Sequence, residues 1–313
     1  MFPQEEAITT VQVGLALGGG GARGLAHLGV LKVLEEEDIP VNMIAGTSIG
    51  AMIGAVYAQT PDIEAITERI RSYLRSLDYE IPGLKNISGA EEDDLPTLQR
   101  FARTIARRIY ISSIGSRSSI LKPDALDSAI RYLLDDGLIE DTQISFGAVA
   151  TDLNSGEALL IREGSIRRAV RRSALIPAFF PPEVDGKRLV ADGAVTRPVP
   201  VEFVRSMGAD IVIAVSADPT ILSPLEDRSI ISIMQRCDLI RGLQLSRLEL
   251  EKADVIIHPD VADCHWSCFT ECDRFVEEGV KEAKHQLSKI RNAIKVRRGW
   301  LPRLMKILSK GER

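Results

Sequence analysis

Residues 41–58 read VNMIAGTSIGAMIGAVYA, and three features of this stretch decide the fold. The apolar run at 41–45 has strand character, Gly46-Thr47-Ser48-Ile49-Gly50 supplies a tight turn, and 49–58 is composed and spaced as a helix. The same order stands just upstream, where the apolar run VQVGLAL at 11–17 meets LGGGGARG at 17–24 and leads into 22–37, with Leu25, Leu28, Leu31 and Leu34 at helical spacing. Two strand–turn–helix units within the first 60 residues predict a parallel sheet with helical crossovers. The expected class is α/β, a three-layer α/β/α sandwich around a mainly parallel sheet.

Downstream, residues 61–140 read as a mostly helical cap or insertion, broken by the loops IPGLKNISGAEEDDLP and SSIGSRSS. The turn DLNSGE between ISFGAVAT and 158–161 predicts a hairpin. Further strands are expected at 189–190, 211–216 and 255–257, and long helices at 229–250 and 267–290. No internal repeat or low-complexity linker divides the chain, so the expected organisation is an extension at 1–10, one domain over 11–290 and a tail at 291–313.

The 313 residues, 45% hydrophobic and 27% charged, suit an ordinary globular protein. The net charge of -5 hides an asymmetry: residues 289–313 hold nine Lys or Arg against one acid, leaving 30 basic and 43 acidic residues elsewhere. That balance argues against a nucleic-acid binder and sets a basic tail on an acidic body. There is no apolar run of about 18 residues, and residues 1–12, with Glu5 and Glu6, lack a secretory signal pattern. A cytoplasmic protein is expected. In a reducing compartment the four cysteines are read as thiols. Cys264, Cys268 and Cys272 fall every four residues with His265 adjacent, but no paired C-x-x-C accompanies them, so packed thiols are preferred to a metal site.

Two glycine motifs can carry chemistry. In the first, Gly19, Gly21 and Gly24 match G-x-G-x-x-G, where exposed N–H groups at a helix start receive negative charge. A dinucleotide site also wants an acidic residue ending the second strand, and that strand ends in Ala45-Gly46-Thr47-Ser48; dinucleotide binding and a purely structural turn remain the alternatives. The second, G-x-S-x-G at 46–50, stands where a nucleophile elbow requires it, between strand and helix. A serine hydroxyl needs a base. Among His27, His258, His265 and His285 none declares itself; His258 follows a predicted strand and stays open, and His27 reads as a packing residue beside the glycine turn.

With a third motif the resemblance becomes specific. Gly19-Gly20-Gly21-Ala22-Arg23-Gly24, Gly46-Thr47-Ser48-Ile49-Gly50 and Asp192-Gly193-Ala194, in this order, resemble the bacterial patatin-like phospholipases, as do GLAHLGVLKVLEE, VATDLNSGE, AVRRSALIPAFFPP and GKRLVADGA. The similarity runs from residue 11 to 218 and weakly towards 279. One departure is Arg197-Pro198, where similar proteins commonly have asparagine before the proline. The resemblance implies a lipid acyl hydrolase of phospholipase A or lysophospholipase/carboxylesterase type, with Ser48 as nucleophile, Asp192 as base, an oxyanion hole at residues 19–24 centred on Gly20, Gly21 and Ala22, an acyl-enzyme intermediate, and no metal or cofactor. Burial beside LIPAFFPP would raise the Asp192 pKa above an ordinary value near 3.9. The rivals are a catalytically silent lipid-binding module and a Ser-Asp-His esterase using His258.

Two charged segments complete the reading. Arg167, Arg168, Arg171 and Arg172 read as a solvated helix face, with phosphate contact as the alternative. In the tail Trp300, Leu301, Leu304, Met305, Ile307 and Leu308 mix with Arg303, Lys306 and Lys310, which suggests peripheral contact with an anionic membrane at its inner face.

Overall fold

The computed structural model describes residues 11–76, 123–222, 224–261 and 268–308. Most of the expected cap, at 77–122, lies outside the described residues, as do both of its expected loops, Cys264, His265 and the last five residues.

Eight strands form one sheet, hydrogen-bonded in the order β5-β6-β3-β2-β1-β7-β8 with β4 also on β3. They are β1 (Val13–Leu17), β2 (Met43–Thr47), β3 (Ser145–Asp152), β4 (Ala158–Ile161), β5 (Glu183–Asp185), β6 (Arg188–Asp192), β7 (Ile211–Val215) and β8 (Val255–Ile257). β3, β2, β1, β7 and β8 are mutually parallel, whereas β4 and β6 run antiparallel to β3 and β5 to β6. β1, β2 and β7 are buried throughout, as strands covered on both faces by helices must be. The expected hairpin is β3–β4; the hairpin β5–β6 around Gly186 adds a strand that the reading of 189–190 did not separate.

One face of the sheet packs in the main core on α1 (Ala26–Glu36), α2 (Ile49–Gln59), α3 (Ile63–Ser76), α4 (Pro123–Leu133), α5 (Ile166–Ser173) and α8 (Cys272–Leu308). The other face, formed by Ala16, Ala45, Val212 and Ala214, packs on α6 (Val201–Ser206) and on Leu250 at the end of α7 (Ile230–Leu250). The first crossover begins as a 3-10 helix, Gly21–Leu25, before α1, instead of as one helix from Ala22. α8 is unbroken from Cys272 to Leu308, across the expected start of the tail, and Ile290 and Ile294 pack in the core. Cys272, its first residue, is buried, while Cys268 precedes the helix.

Register decides what meets at the strand ends. Val149 of β3 pairs with both Thr47 and Leu160, and Ala150 pairs with both Leu159 and Asp192. A strand residue has one neighbour on each side, so β4 occupies one side of β3, and β2 and β6 share the other. These two run toward each other and end at successive positions, Thr47 opposite Val149 and Asp192 opposite Ala150. A step along β3 is about 3.3 Å.

Candidate active site

At that junction Ser48 leaves β2 as the N-cap of α2 with φ 56° and ψ -120°, a conformation costly for any side-chain-bearing residue. It is held from three directions. The Ser48 carbonyl accepts from the N–H groups of Ala51 and Met52 at 3.0 and 3.1 Å, its own N–H donates to Ser173 Oγ at 2.9 Å, and the Thr47 hydroxyl donates to the Arg197 carbonyl at 2.8 Å. Gly50 lets α2 start against the end of β1, since a Cβ there would lie 2.3 Å from the Leu17 carbonyl oxygen. Gly46 and Ile49 are packing members of the same turn, Ile49 lying against Gly24.

Asp192 closes β6 from the other side. A Cβ at Gly193 would stand 2.3 Å from the Val149 carbonyl oxygen, so only glycine lets the chain fold over β3 immediately after the aspartate. The Asp192 N–H donates to the Leu175 carbonyl at 3.0 Å, and Oδ1 accepts from the Ala194 N–H at 2.8 Å. Oδ2 is buried and, among the described residues, makes no hydrogen bond of good geometry. Desolvation pushes the carboxyl pKa up to about 6; the Ala194 N–H and the Ser48 hydroxyl pull part of the rise back. The hydroxyl is therefore near enough to act on the carboxylate without being aligned on it.

The glycine turn supplies the third wall. A methyl group on Gly19 would touch Ala194 at 3.6 Å, Ser48 at 3.7 Å and Thr47 at 3.9 Å, so all three sequence motifs converge on this residue. Not every expected donor is free. The Gly19 N–H donates to the Pro198 carbonyl at 3.0 Å, which removes it from the expected row. Gly20 (φ 141°), Gly21 (φ 60°) and Ala22 open the 3-10 helix, where their N–H groups lack an acceptor within that helix. Arg23 turns its guanidinium back to the Gly20 carbonyl at 3.3 Å, and Gly24 packs on Ile49.

Two residues support this arrangement: His27, expected beside the glycine turn, and Ser173, which no sequence motif marks. His27 is wholly buried, and its Nε2 lies 2.8 Å from the Gly18 carbonyl, so this nitrogen carries the hydrogen and donates. Desolvation lowers its pKa to about 4, which keeps the ring neutral while it braces the turn. Ser173 ends α5, whose arginines are not a simple solvated face. Arg168, Arg171 and Arg172 gather on Glu183, Arg171 also reaches Asp127, and the set ties α5 to the β5–β6 hairpin. Only the contacts could reveal these roles, since a serine after a basic helix carries no motif. Ser173→Ala is expected to lower stability by about 1–3 kcal/mol, because it strands the buried Ser48 N–H; urea denaturation midpoints of the two proteins measure this.

His258 is placed elsewhere. It follows β8, three strands from β2 and so about 14 Å away across the sheet, and its Nε2 lies 2.9 Å from the Asp218 carbonyl. Arg197, the departure noted in the sequence, pairs with Glu202 at 2.6 Å and with the buried Glu249, anchoring the loop after Ala194 to α7.

The model of the family described as Patatin-like phospholipase matches residues 15–205, a span that contains all three motifs. Patatin-like phospholipase domain-containing protein 6 of Homo sapiens is 33% identical over 225 residues, covering 70% of this chain and 14% of that protein. An uncharacterized NTE family protein of Mycobacterium tuberculosis is 34% identical over 217 residues, covering 69% of this chain and 52% of that one. The chain thus spans about one seventh of the length of the first and half of the second. The crystal structure of VipD from Legionella pneumophila aligns with a TM-score of 0.47 at 15% identity, covering 91% of this chain and 67% of that one. With more than half of its length matched by the family model, the chain belongs to the patatin-like phospholipase family.

Proposed function

We propose that the protein hydrolyses the carboxylic esters of lipids through Ser48 and Asp192. The observation that carries this reading is the buried Asp192 Oδ2, which has no well-aligned partner and lies beside a serine in an elbow conformation. The Ser48 oxygen attacks the ester carbonyl and passes its proton to Asp192, which a pKa of about 6 makes a better base than a free aspartate while leaving it ionised at pH 7. The tetrahedral oxyanion faces the N–H groups of Gly20, Gly21 and Ala22, with the positive end of α2 behind it. Collapse expels the alcohol, which takes the proton from Asp192, and water cleaves the acyl-serine by the reverse sequence.

The name of the human relative supports a phospholipid as the ester. The position of His258 argues against a Ser-Asp-His arrangement. A silent lipid-binding module is separated from an enzyme by covalent chemistry: the Ser48 oxygen should attack the phosphorus of a fluorophosphonate and expel fluoride, giving one phosphonyl mass adduct that peptide mapping places on Ser48, and fatty acid should be released from phospholipid. An unreactive Ser48 with no ester turnover would leave the silent module as the reading.

A further inference from the structure

The loop from β7 to α7 and the first half of α7 carry three of the four most exposed large apolar side chains among the described residues. Ile230 is 78% exposed, Ile221 77% and Met234 65%, with Ile233 at 44% beside them. Ile230, Ile233, Met234, Cys237 and Ile240 recur at helical spacing and form one stripe. The helix start is well built: Ser229 caps it by accepting from the Ser232 N–H, and Asp227 accepts from both serine hydroxyls. The stripe is therefore the face of a formed helix and not a frayed end. The second half of α7 packs on the body, where Ser246, Glu249 and Leu250 are buried.

This stripe stands at the edge of the sheet that carries Ser48. β7 is parallel to β1 and β2, so the chain leaves β7 beside the glycine turn, and a Cβ on Gly20 would lie 3.1 Å from that of Ala217. Ile221 is four residues beyond Ala217, within about 14 Å. On the other flank Val195, three residues after Asp192, is 47% exposed. The C-terminal part of α8, as far as Arg297, lies at the opposite edge. α8 runs in the same direction as α1, with Val276 against Gly29 and Arg291 paired with Glu37, and Arg297 meets Asp210 at 3.1 Å just before β7 begins.

We propose that Ile221, Ile230, Ile233, Met234 and Ile240 dock the protein on a zwitterionic lipid surface with Ser48 facing it, an inference that rests on the lipid hydrolase reading. Charge selects the lipid: residues 221–241 hold Glu226, Asp227 and Asp238 against Arg228, Arg236 and Arg241, a neutral set that gains nothing from an anionic bilayer. Area argues against a second copy, because five aliphatic side chains expose roughly 300–600 Å², below the ~800 Å² per partner of a stable interface.

The test is flotation with phosphatidylcholine vesicles, paired with hydrolysis of vesicle lipid and of a soluble short-chain ester. The double substitution Ile230→Glu with Met234→Glu should cut vesicle binding and vesicle hydrolysis at least tenfold, with soluble-ester hydrolysis within twofold of the parent; truncation after Arg298 should leave all three in place. Equal flotation of the parent and the double variant overturns the proposal. So does a parent that does not float, or a parent dimer that the double substitution makes monomeric. If the parent floats but turns over no ester, the hydrolase reading fails while the docking face stands.

Discussion

Asp192→Asn is expected to abolish turnover and, in the same protein, to make the fold harder to unfold. The rate should fall on the order of 10³-fold or more, since an amide cannot take the Ser48 proton. The stability gain follows from burial. The carboxyl titrates near 6 in the folded chain against 3.8 in the open one. Below pH 3.8 both states are protonated and the group is neutral in effect; between 3.8 and 6 the open chain ionises while the folded one keeps its proton, so stability is lost across this window, and above 6 the loss is complete. The loss amounts to about 3 kcal/mol at pH 8 and roughly half of that at pH 5. Asparagine keeps the Oδ1 contact with the Ala194 N–H and never ionises, so the variant should be the more stable by up to about 3 kcal/mol at pH 8, with a smaller margin at pH 5. Denaturation midpoints at both pH values measure it, and the difference cancels the acid lability that neutral, buried His27 imposes on parent and variant alike. The same titration governs the parent's rate: kcat/KM should climb with pH to a plateau, with a midpoint near 6. A variant no more stable than the parent at pH 8 would mean that Asp192 is not held in its site at the cost the geometry implies.

Ser48 should show a related opposition between activity and stability. Ser48→Ala removes the nucleophile and is expected to cost on the order of 10⁴-fold or more in kcat, with no fluorophosphonate adduct. It leaves the backbone strain in place, because alanine is no more at ease than serine at φ 56°. Ser48→Gly should be equally inactive yet more stable by about 1 kcal/mol, since glycine enters this region without the Cβ penalty. The ordering of melting temperatures, with Gly above Ala and Ala close to Ser, checks the conformation independently of any substrate. If Ser48→Gly proved the least stable of the three, the elbow would not be strained as described.

The contrast between near and distant neighbours separates what was legible early from what was not. The strand–turn–helix units of the first 60 residues, the parallel sheet and the G-x-S-x-G elbow are local: each rests on apolar spacing and on glycines within a few residues of one another, and these constraints act before any distant contact forms. Asp192 was legible only by resemblance, because a D-G-A tripeptide after a strand is in itself an ordinary turn. The arginines of α5 were read as a solvated face because their partner, Glu183, is contributed by the β5–β6 hairpin. The composition of the basic tail carries no information about which end of the sheet α8 runs to.

By itself, then, the amino-acid sequence determined the strand–turn–helix units of the first 60 residues, the α/β layering and the two glycine motifs, since periodicity and turn chemistry are properties of neighbouring residues. Only the tertiary structure decided that β2 and β6 end head to head on one side of β3, that the Gly19 N–H is already engaged by Pro198, and that α8 carries Arg297 to the edge opposite the elbow. Register across strands and the direction of packed helices are set by contacts between residues as many as 254 positions apart, Glu37 and Arg291 among them, and no local pattern encodes those contacts.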